Sequence, residues 1–154
     1  MDYSLRPACL EDIQIVLTWV GTADLLRLWG GPALSFPPTP GTVWSTIEAT
    51  SQNSYSLINS AGQLAGFAQA LPRGSSVHLA RIIVSPSLRG QGVGRILCQK
   101  LIQIALAQHH PCDITLKVYP NNTPAFSLYQ SLGFIPTHEA QNTDSIKMCL
   151  MPKP

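Results

Sequence analysis

The segment between residues 89 and 95 combines glycine and arginine in a pattern that suits phosphate binding. It consists of Arg89, Gly90, Gln91, Gly92, Val93, Gly94 and Arg95. Glycine adopts positive φ and leaves the neighbouring backbone N–H groups open to a ligand. N–H groups at the start of a helix attract phosphate, and an arginine at each end adds fixed positive charge. The segment is therefore predicted to hold a phosphate-containing ligand; the alternative is that its glycines only shape a turn.

Two common nucleotide-binding loops do not fit these residues. A P-loop carries Lys followed by Ser or Thr directly after its last glycine, and no such pair follows here. A dinucleotide loop of the GxGxxG type beginning at Gly90 would need a glycine at position 95, where the chain has Arg95. The ligand must be sought outside these two classes.

The apolar pattern places this glycine segment between a strand and a helix. Val77–Val84 is strongly apolar, and Val93–Gln108 repeats apolar residues at helical spacing. An irregular loop is predicted over Gly30–Gly41, which is rich in Gly and Pro. The other predicted strands are Tyr3–Arg6, Ser54–Asn59, Leu64–Leu71, Ile114–Val118 and Ser145–Met151, and the other predicted helices are Glu11–Val20, Asp24–Trp29, Val43–Thr50 and Pro124–Leu132. This order predicts an α/β fold, a mixed central β-sheet flanked by helices on both faces.

Length and composition limit the class of protein. A chain of 154 residues fits a single domain over 1–154. Its hydrophobic content of 45% and charged content of 12% predict a globular chain. A net charge of +2 gives no reason to expect nucleic-acid binding. Neither a signal peptide nor an apolar run of about 18 residues is seen, so we expect a cytoplasmic protein with no membrane partner.

The cysteines indicate neither a disulfide framework nor a metal site. Cys9, Cys98, Cys112 and Cys149 lie far apart, without CxxC or Cys/His spacing. The sequence therefore predicts buried free thiols in a reducing compartment and no bound metal.

Two motifs together resemble the GNAT superfamily of N-acetyltransferases. Arg89, Gly92 and Gly94 match the superfamily's R/Q-x-x-G-x-G/A motif, and Asn122–Phe134 is similar to its N-x-x-A-x-x-x-Y-x-x-x-G-F segment. The resemblance runs from about Val77 to Ile135, whereas the first half of the chain matches only in its order of elements. It implies the GNAT acyl-CoA N-acyltransferase fold and an acetyltransferase that uses acetyl-CoA.

The resemblance also implies how acetyl-CoA would be bound. The pyrophosphate would lie on the backbone N–H groups of Arg89–Arg95. The pantetheine arm would pair like an extra strand with the preceding strand, because its amides need the backbone partners that a strand edge supplies. The implied cofactor-binding residues are Ile82, Ile83, Val84, Arg89, Gly90, Gln91, Gly92, Val93, Gly94, Arg95 and Asn122.

Direct attack of an amine on the thioester needs a neutral amine, a donor for the oxyanion and a proton for the leaving thiolate. A strand N–H near Val84 would polarise the carbonyl. Tyr129 stands at the position of the superfamily's general acid; its alternative role is that of a packed helix tyrosine.

The general base is left open. Some relatives carry a Glu where this chain has Lys117, which is no base while protonated. Others carry Glu or His four residues before the pantetheine-pairing strand residues, and this position is His78. An imidazole ordinarily titrates at about pH 6.5, which suits the task. Alternatively, His78 is only a hydrogen-bonded residue of the sheet, or water acts as the base.

The acceptor is predicted only by class: a primary amine of a small molecule or of a protein N-terminus. Aromatic candidates for its wall, each of which could equally be core, are Trp19, Trp29, Phe36 and Trp44. Acidic candidates for holding a cationic amine are Glu11, Asp12, Asp24, Glu48 and Glu139. His109 and His110 are expected to interact with the dipole at a helix end, and His138 is given no role. A homodimer is left open.

Two other functions compete with this one. The first is a non-enzymatic acyl-CoA-binding sensor or regulatory module, which Lys117 favours and Tyr129 disfavours. The second is an interaction domain that binds no CoA, which would make the pattern of Arg89–Arg95 accidental.

Overall fold

The computed structural model of the chain describes residues 2–137 and 145–152. These residues divide into two compact units. One unit contains the residues up to Gln69 together with Arg81–Leu101, and the other contains Ala70–Ala80 and the described residues from Ile102 onward. That the whole chain is one domain stays a prediction.

Within the described residues, seven strands form one mixed sheet. The strands are β1 (Tyr3–Pro7), β2 (Ser54–Asn59), β3 (Leu64–Arg73), β4 (Ser76–Val84), β5 (Asp113–Val118), β6 (Ile135–Pro136) and β7 (Ile146–Leu150). Their order is β1-β2-β3-β4-β5-β7-β6. β4 and β5 run parallel, whereas β1–β2, β2–β3, β5–β7 and β6–β7 are antiparallel pairs. The helices are α1 (Leu10–Trp19), α2 (Ala23–Gly30), α3 (Pro40–Thr46), α4 (Val93–His109) and α5 (Thr123–Ser131), with a 3-10 turn over Pro86–Leu88.

Helices cover both faces of the sheet in the first unit. Phe67 on β3 is fully buried, in a cluster with apolar residues of α1, α2 and α3. Its neighbour Gly66 points to the opposite face, since successive strand residues alternate. A Cβ on Gly66 would come within 3.1 Å of Leu97 Cδ2, a side chain of α4. The predicted mixed sheet with helices on both faces is therefore confirmed.

Gly66 also sets the spacing of two strands. A Cβ at this position would lie 2.9 Å from the carbonyl oxygen of Ile83 on β4. Real Cβ atoms do not approach backbone that closely, so a larger residue would force β3 and β4 apart. The glycine thus permits the close pairing of the two central strands.

β2 and β3, both predicted as strands, form a hairpin whose turn depends on a second glycine. β2 and β3 pair antiparallel, and Gly62 between them has φ +80°. Its N–H donates to the Asn59 carbonyl at 2.9 Å. A Cβ on Gly62 would meet nothing within 4 Å, so only the backbone conformation favours glycine there.

Three expectations from the sequence are corrected. The helix predicted over Val43–Thr50 is α3, which lies earlier, over Pro40–Thr46. Its start is fixed by Thr39, whose side chain accepts the Thr42 N–H at 3.3 Å, and by proline at the first position, where a fixed φ fits a helix. The predicted loop accordingly loses both of its ends to helices. The two-residue strand β6 was not predicted, because a segment so short has no periodicity to detect.

The cysteines are free thiols, as predicted, but the prediction that they are buried is wrong for most of them. Among the described residues only Cys98 is buried, and its desolvation raises the pKa of the thiol to about 12. Cys9 and Cys112 are exposed and Cys149 is half-buried. Cys9 precedes α1 and Cys112 precedes β5, positions at which the chain is at the surface.

A buried carboxylate links the start of α1 to β1 and β2. Asp12 is 3% exposed and accepts two hydrogen bonds from Arg6, at 2.7 and 2.9 Å, and one from Ser56 Oγ at 2.7 Å. The backbone N–H of Cys9 donates to the same carboxylate at 3.0 Å, which caps the helix. Burial acts to raise the pKa of Asp12, but the bonds from Arg6, Ser56 and Cys9 outweigh it and lower the pKa to about 2.

This network should make the stability of the chain depend on acid pH. The folded pKa of Asp12 lies below the ordinary value of about 3.9, so its contribution is complete above about pH 4 and is lost as the pH falls to about 2. Arg6→Met should lower the free energy of unfolding at pH 7 by about 1–3 kcal/mol, because it leaves a buried carboxylate without its charged donor. Urea unfolding between pH 2 and pH 7 measures both effects.

The matched control is Arg27→Met. Arg27 pairs with Asp24 on the exposed face of α2, with both side chains more than half exposed. Its loss should change the stability by about 0.5 kcal/mol or less. Equal effects of the two substitutions would contradict the importance assigned to Asp12.

Candidate active site

The glycine segment joins the end of β4 to the start of α4. Beyond Val84 and the 3-10 turn, Gly90 and Gly92 adopt φ +75° and +82°, which confirms two left-handed positions. Gly94 lies inside the first turn of α4, where glycine is not conformationally required. The N–H groups of a helix's first turn have no acceptor within the helix itself. Strand, turn and helix start therefore present backbone donors as the sequence predicts for a phosphate site.

Two side chains of the segment fasten it to the chain before it. Arg89 Nε donates to the Val84 carbonyl at 3.2 Å, and Gln91 Nε2 donates to the Ser87 carbonyl at 3.1 Å. Both side chains are exposed. Arg89 and Gln91 thus shape the loop, and the charge of Arg89 stays at the surface beside it.

The last three residues of β4 divide between core and edge. Ile83 is buried in the core of the first unit, whereas Ile82 and Val84 are half-buried. The N–H of Ser85 donates to the Ala65 carbonyl on β3 at 2.9 Å. Because successive backbone groups of an extended chain point to opposite edges, the N–H of Val84 points away from β3. This edge is the one that an added strand would use.

His78 belongs to the last residue pair in the parallel register of β4 and β5. The parallel register pairs Ser76 with Asp113, Val77 with Ile114 and His78 with Thr115. His78 Nδ1 lies 2.8 Å from the hydroxyl of Thr115, which is 6% exposed. When Nδ1 carries the proton, it donates to Thr115 and leaves the lone pair on Nε2, the arrangement a base needs. Thr115 was not predicted from the sequence, because nothing in it specifies the register of two parallel strands.

Asn122 begins α5. Its side-chain oxygen accepts the N–H of Ala125 at 3.3 Å, and its carbonyl accepts the N–H of Phe126 at 3.1 Å. It is therefore the N-cap of the helix, a structural role that the resemblance did not indicate.

Tyr129 packs near the end of α5. It is 8% exposed, and its ring stands edge-on to that of Phe134, with centroids 6.1 Å apart. The carbonyl of Tyr129 accepts the N–H of Phe134 at 3.0 Å, across a turn in which Gly133 has φ +104°. Tyr129, Gly133 and Phe134, all in the Asn122–Phe134 motif, thus form one local turn.

An exposed cation occupies the position at which some relatives carry a catalytic Glu. Lys117 on β5 is exposed and lies opposite Lys147 on β7. A protonated amine there neither accepts a proton nor attracts a cationic acceptor.

The acceptor candidates fall into different environments. Trp19, Trp29 and Trp44 pack against the core of the first unit, whereas Phe36 is 49% exposed. Asp12 is committed to Arg6 and Ser56, and Asp24 pairs with Arg27. Glu11 and Glu48 are exposed. Glu139 and His138 lie outside the described residues.

The part of the chain that the structure describes, residues 2–137 and 145–152, has neither a membrane-spanning helix nor a cluster of metal ligands. No helix there is long and apolar enough to cross a bilayer. No group of three or more His, Cys, Asp or Glu side chains there is placed to hold a metal ion.

Comparison with known proteins gives matches in sequence and in structure. The sequence model described as the acetyltransferase (GNAT) family matches residues 23–134. Mycothiol acetyltransferase of Jonesia denitrificans is 33% identical over 87 residues, 55% of this chain and 27% of that protein. The chain thus spans about a quarter of that curated relative.

Solved structures share the fold at low sequence identity. The ribosomal-protein-S18-alanine N-acetyltransferase from Escherichia coli has a TM-score of 0.70 and 22% identity, covering 97% of this chain and 94% of that one. Spermidine N-acetyltransferase from Vibrio cholerae, in complex with CoA and spermine, has a TM-score of 0.77 and 15% identity, covering 97% and 95%.

The phosphate loop can be tested with two matched glycines. Gly92 and Gly62 have φ +82° and +80°, and a Cβ on either would meet nothing within 4 Å. Replacement of either by Val should therefore cost a similar amount, about 1–3 kcal/mol of backbone strain. CoA should raise the melting temperature of the wild type and of Gly62→Val, since a ligand of the native state stabilises it.

Gly92→Val should show no CoA-induced rise, because its side chain would occupy the space beside the N–H groups that are predicted to bind phosphate. Differential scanning fluorimetry over a range of CoA concentrations gives the comparison. An equal rise in Gly92→Val and Gly62→Val would contradict the assignment of the loop.

Proposed function

The chain belongs to the GNAT family of acetyltransferases, and we propose that it transfers an acetyl group from acetyl-CoA to the primary amine of a small molecule or a protein N-terminus. The observation that carries this proposal is the end of β4. There a strand edge facing away from β3 runs directly into two left-handed glycines and the start of a helix. Backbone donors for an extended amide chain and for a phosphate thus follow one another in the sequence. We further propose a single cytoplasmic domain.

The proposed cofactor is acetyl-CoA. The pyrophosphate would be held by the N–H groups of Arg89–Arg95, and the pantetheine amides by the backbone of Ile82, Ile83 and Val84. Asn122 would contact the arm. A fold relative whose structure contains CoA supports this choice of ligand. The Asn122 side-chain oxygen caps α5. We therefore assign the side-chain NH₂ group, which donates hydrogen bonds, to the cofactor.

The thioester carbonyl would be polarised by the N–H of Val84. Negative charge develops on the carbonyl oxygen as the amine attacks, and a donor fixed in place beforehand stabilises it without reorganisation. The carbonyl of Val84 accepts a bond from Arg89, which helps to fix this peptide segment.

Collapse of the tetrahedral intermediate breaks the C–S bond, and the thiolate takes a proton. We assign this proton to the phenol of Tyr129, a buried group on α5. The amine loses a proton as the C–N bond forms. We assign its removal to His78, with water as the alternative base, since Lys117 stands where a carboxylate would serve.

The acceptor is proposed by class alone. Proteins similar to this chain are named for spermidine, for an alanine of ribosomal protein S18 and for mycothiol. The first two names specify N-acetylation, one of a polyamine and one of a protein residue, and they support an amine acceptor without deciding which. The oligomeric state is likewise left open to a monomer or a homodimer.

A second candidate function rests on Lys117. An exposed cation in place of a carboxylate agrees with a domain that binds acyl-CoA without turning it over, a sensor or regulatory module. The two functions differ in one measurable product, because only the enzyme releases free thiol in the presence of an amine.

The test is thiol release from acetyl-CoA with a panel of amines that contains polyamines, amino acids and peptides with free N-termini. Wild-type protein should release thiol with at least one of them. Tyr129→Phe should lower turnover about 10²–10⁴-fold with CoA affinity little changed, because the ring is kept and only the proton donor is lost.

Tyr55→Phe is the control. Tyr55 is also buried, and its hydroxyl donates to the Gln52 carbonyl at 3.0 Å. Its loss should lower stability and leave turnover unchanged. CoA binding without thiol release from any amine would favour the sensor, and full turnover in Tyr129→Phe would reduce Tyr129 to a packing residue.

His78 is tested by the pH profile. With His78 as the base, kcat/KM should rise with pH as the imidazole loses its proton. His78→Ala should remove this inflection and leave activity that recovers at high pH, where the free amine is already populated. His109→Ala, a histidine at the end of α4, should leave the profile unchanged. An unaltered profile in His78→Ala would transfer the role to water.

A further inference from the structure

β4 contains a residue in the left-handed region that is not a glycine. Arg81 has φ +51°, directly before Ile82, Ile83 and Val84. A side chain in this conformation is unfavourable, and such residues persist only where the surrounding structure imposes them. The strand is otherwise extended, so the contacts of Arg81 must supply the constraint.

Arg81 is held by hydrogen bonds on both its backbone and its side chain. Its carbonyl accepts the indole N–H of Trp29 at 2.9 Å. Its Nε donates to the carbonyl of Gly30 at 3.3 Å, and its Nη1 donates to the side-chain oxygen of Gln69 at 2.9 Å. The last two residues of α2 are thus joined to Arg81 by one bond in each direction, and the third bond reaches β3.

The partners of Arg81 are themselves fixed. Gln69 is fully buried, and its amide donates to the Ile47 carbonyl and to Ser54 Oγ, both at 3.1 Å. The ring of Trp29 stands edge-on to that of Phe67, with centroids 5.9 Å apart. Arg81 is therefore anchored to groups that have their own contacts in the core of the first unit.

The conformation of Arg81 decides where the following N–H groups point. In an extended strand these groups alternate between the two edges. A left-handed residue interrupts the alternation, as a β-bulge does, and re-aims the residues after it. Residues 82–84 follow at once, so the direction of the Val84 N–H depends on the backbone of Arg81.

We propose that Arg81 is a positioning residue for acyl transfer. Its guanidinium, bonded to Gly30 and Gln69, holds its own backbone left-handed and thereby aims the N–H groups of residues 82–84 at the thioester. This role rests on the proposed function, in which the Val84 N–H stabilises the oxyanion. In this role Arg81 acts through the strand and not by contact with either reactant.

The test compares two substitutions that separate conformation from anchoring. Arg81→Gly adopts φ +51° without strain, so the chain still folds, but it has no guanidinium to impose that conformation. Arg81→Lys keeps the charge and loses the fork that spans two acceptors. In both, kcat should fall about 10–100-fold, because a misplacement near 1 Å costs this much. KM for acetyl-CoA should stay within about threefold, since the phosphate loop is untouched.

Hydrogen exchange gives a readout that does not need turnover. The N–H of Ile83 points toward β3, opposite to that of Val84, so Ile83 is the amide of this segment that strand pairing protects. It should exchange at least about tenfold faster in Arg81→Gly than in the wild type, because the segment is no longer held. Arg27→Ala, which removes an exposed arginine of α2, should match the wild type in kcat and in exchange.

The outcomes separate the positioning role from the proposed function. When the wild type turns over an amine, an unchanged kcat in Arg81→Gly, or unchanged exchange at Ile83, overturns the positioning role and leaves the proposed acetyltransferase intact. Absence of wild-type turnover with every amine overturns the proposed function and the positioning role with it. A purely structural arginine would lower the melting temperature and leave kcat of the folded protein unchanged.

Discussion

A strand has two hydrogen-bonding edges, and the candidate site depends on how β4 divides them. One edge is closed against β3, at a distance so short that Gly66 cannot carry a Cβ next to the Ile83 carbonyl. The other edge pairs in register with β5 over Ser76, Val77 and His78. The rest of β4 can then present backbone groups to a ligand while its side chains, such as Ile83, stay in the core. Backbone recognition and core packing are thus compatible in the same residues.

The first unit relies on buried polar groups as well as on apolar packing. Asp12 ties the start of α1 to β1 and β2, and Gln69 ties β3 to Arg81, Ile47 and Ser54. Both side chains are almost fully buried. Buried polar groups need partners at fixed distances and angles, whereas apolar contacts tolerate sliding. These two networks therefore define positions, and the second ends at the strand segment that is assigned to acyl transfer.

Periodicity and motif spacing predicted most of the fold and the loop of the candidate site. The bounds of β2 and the start of α4 agree with the prediction, because alternation and an apolar stripe are strong local signals. The predicted start of α3 was wrong, because the Pro-Gly pair was assigned to a loop although Thr39 caps a helix that begins at this proline. Contacts that join distant parts of the chain were missed: His78 with Thr115, and Arg81 with Trp29 and Gln69. Nothing local in a sequence marks an arginine that adopts positive φ.

The absence of a side chain at Gly66 limits which residues this position can accept. Each L-amino acid other than glycine would place an atom against the Ile83 carbonyl, and Leu97 Cδ2 lies close on the same side. Any substitution at this position therefore alters the spacing of β3 and β4, and with it the strand that is proposed to present its backbone to the cofactor. The exposed side chains of Phe36 and Lys117 meet no such limit, because a change at either does not force two strands apart. The spacing of β3 and β4 thus restricts position 66 to glycine and places no restriction on these two surface positions.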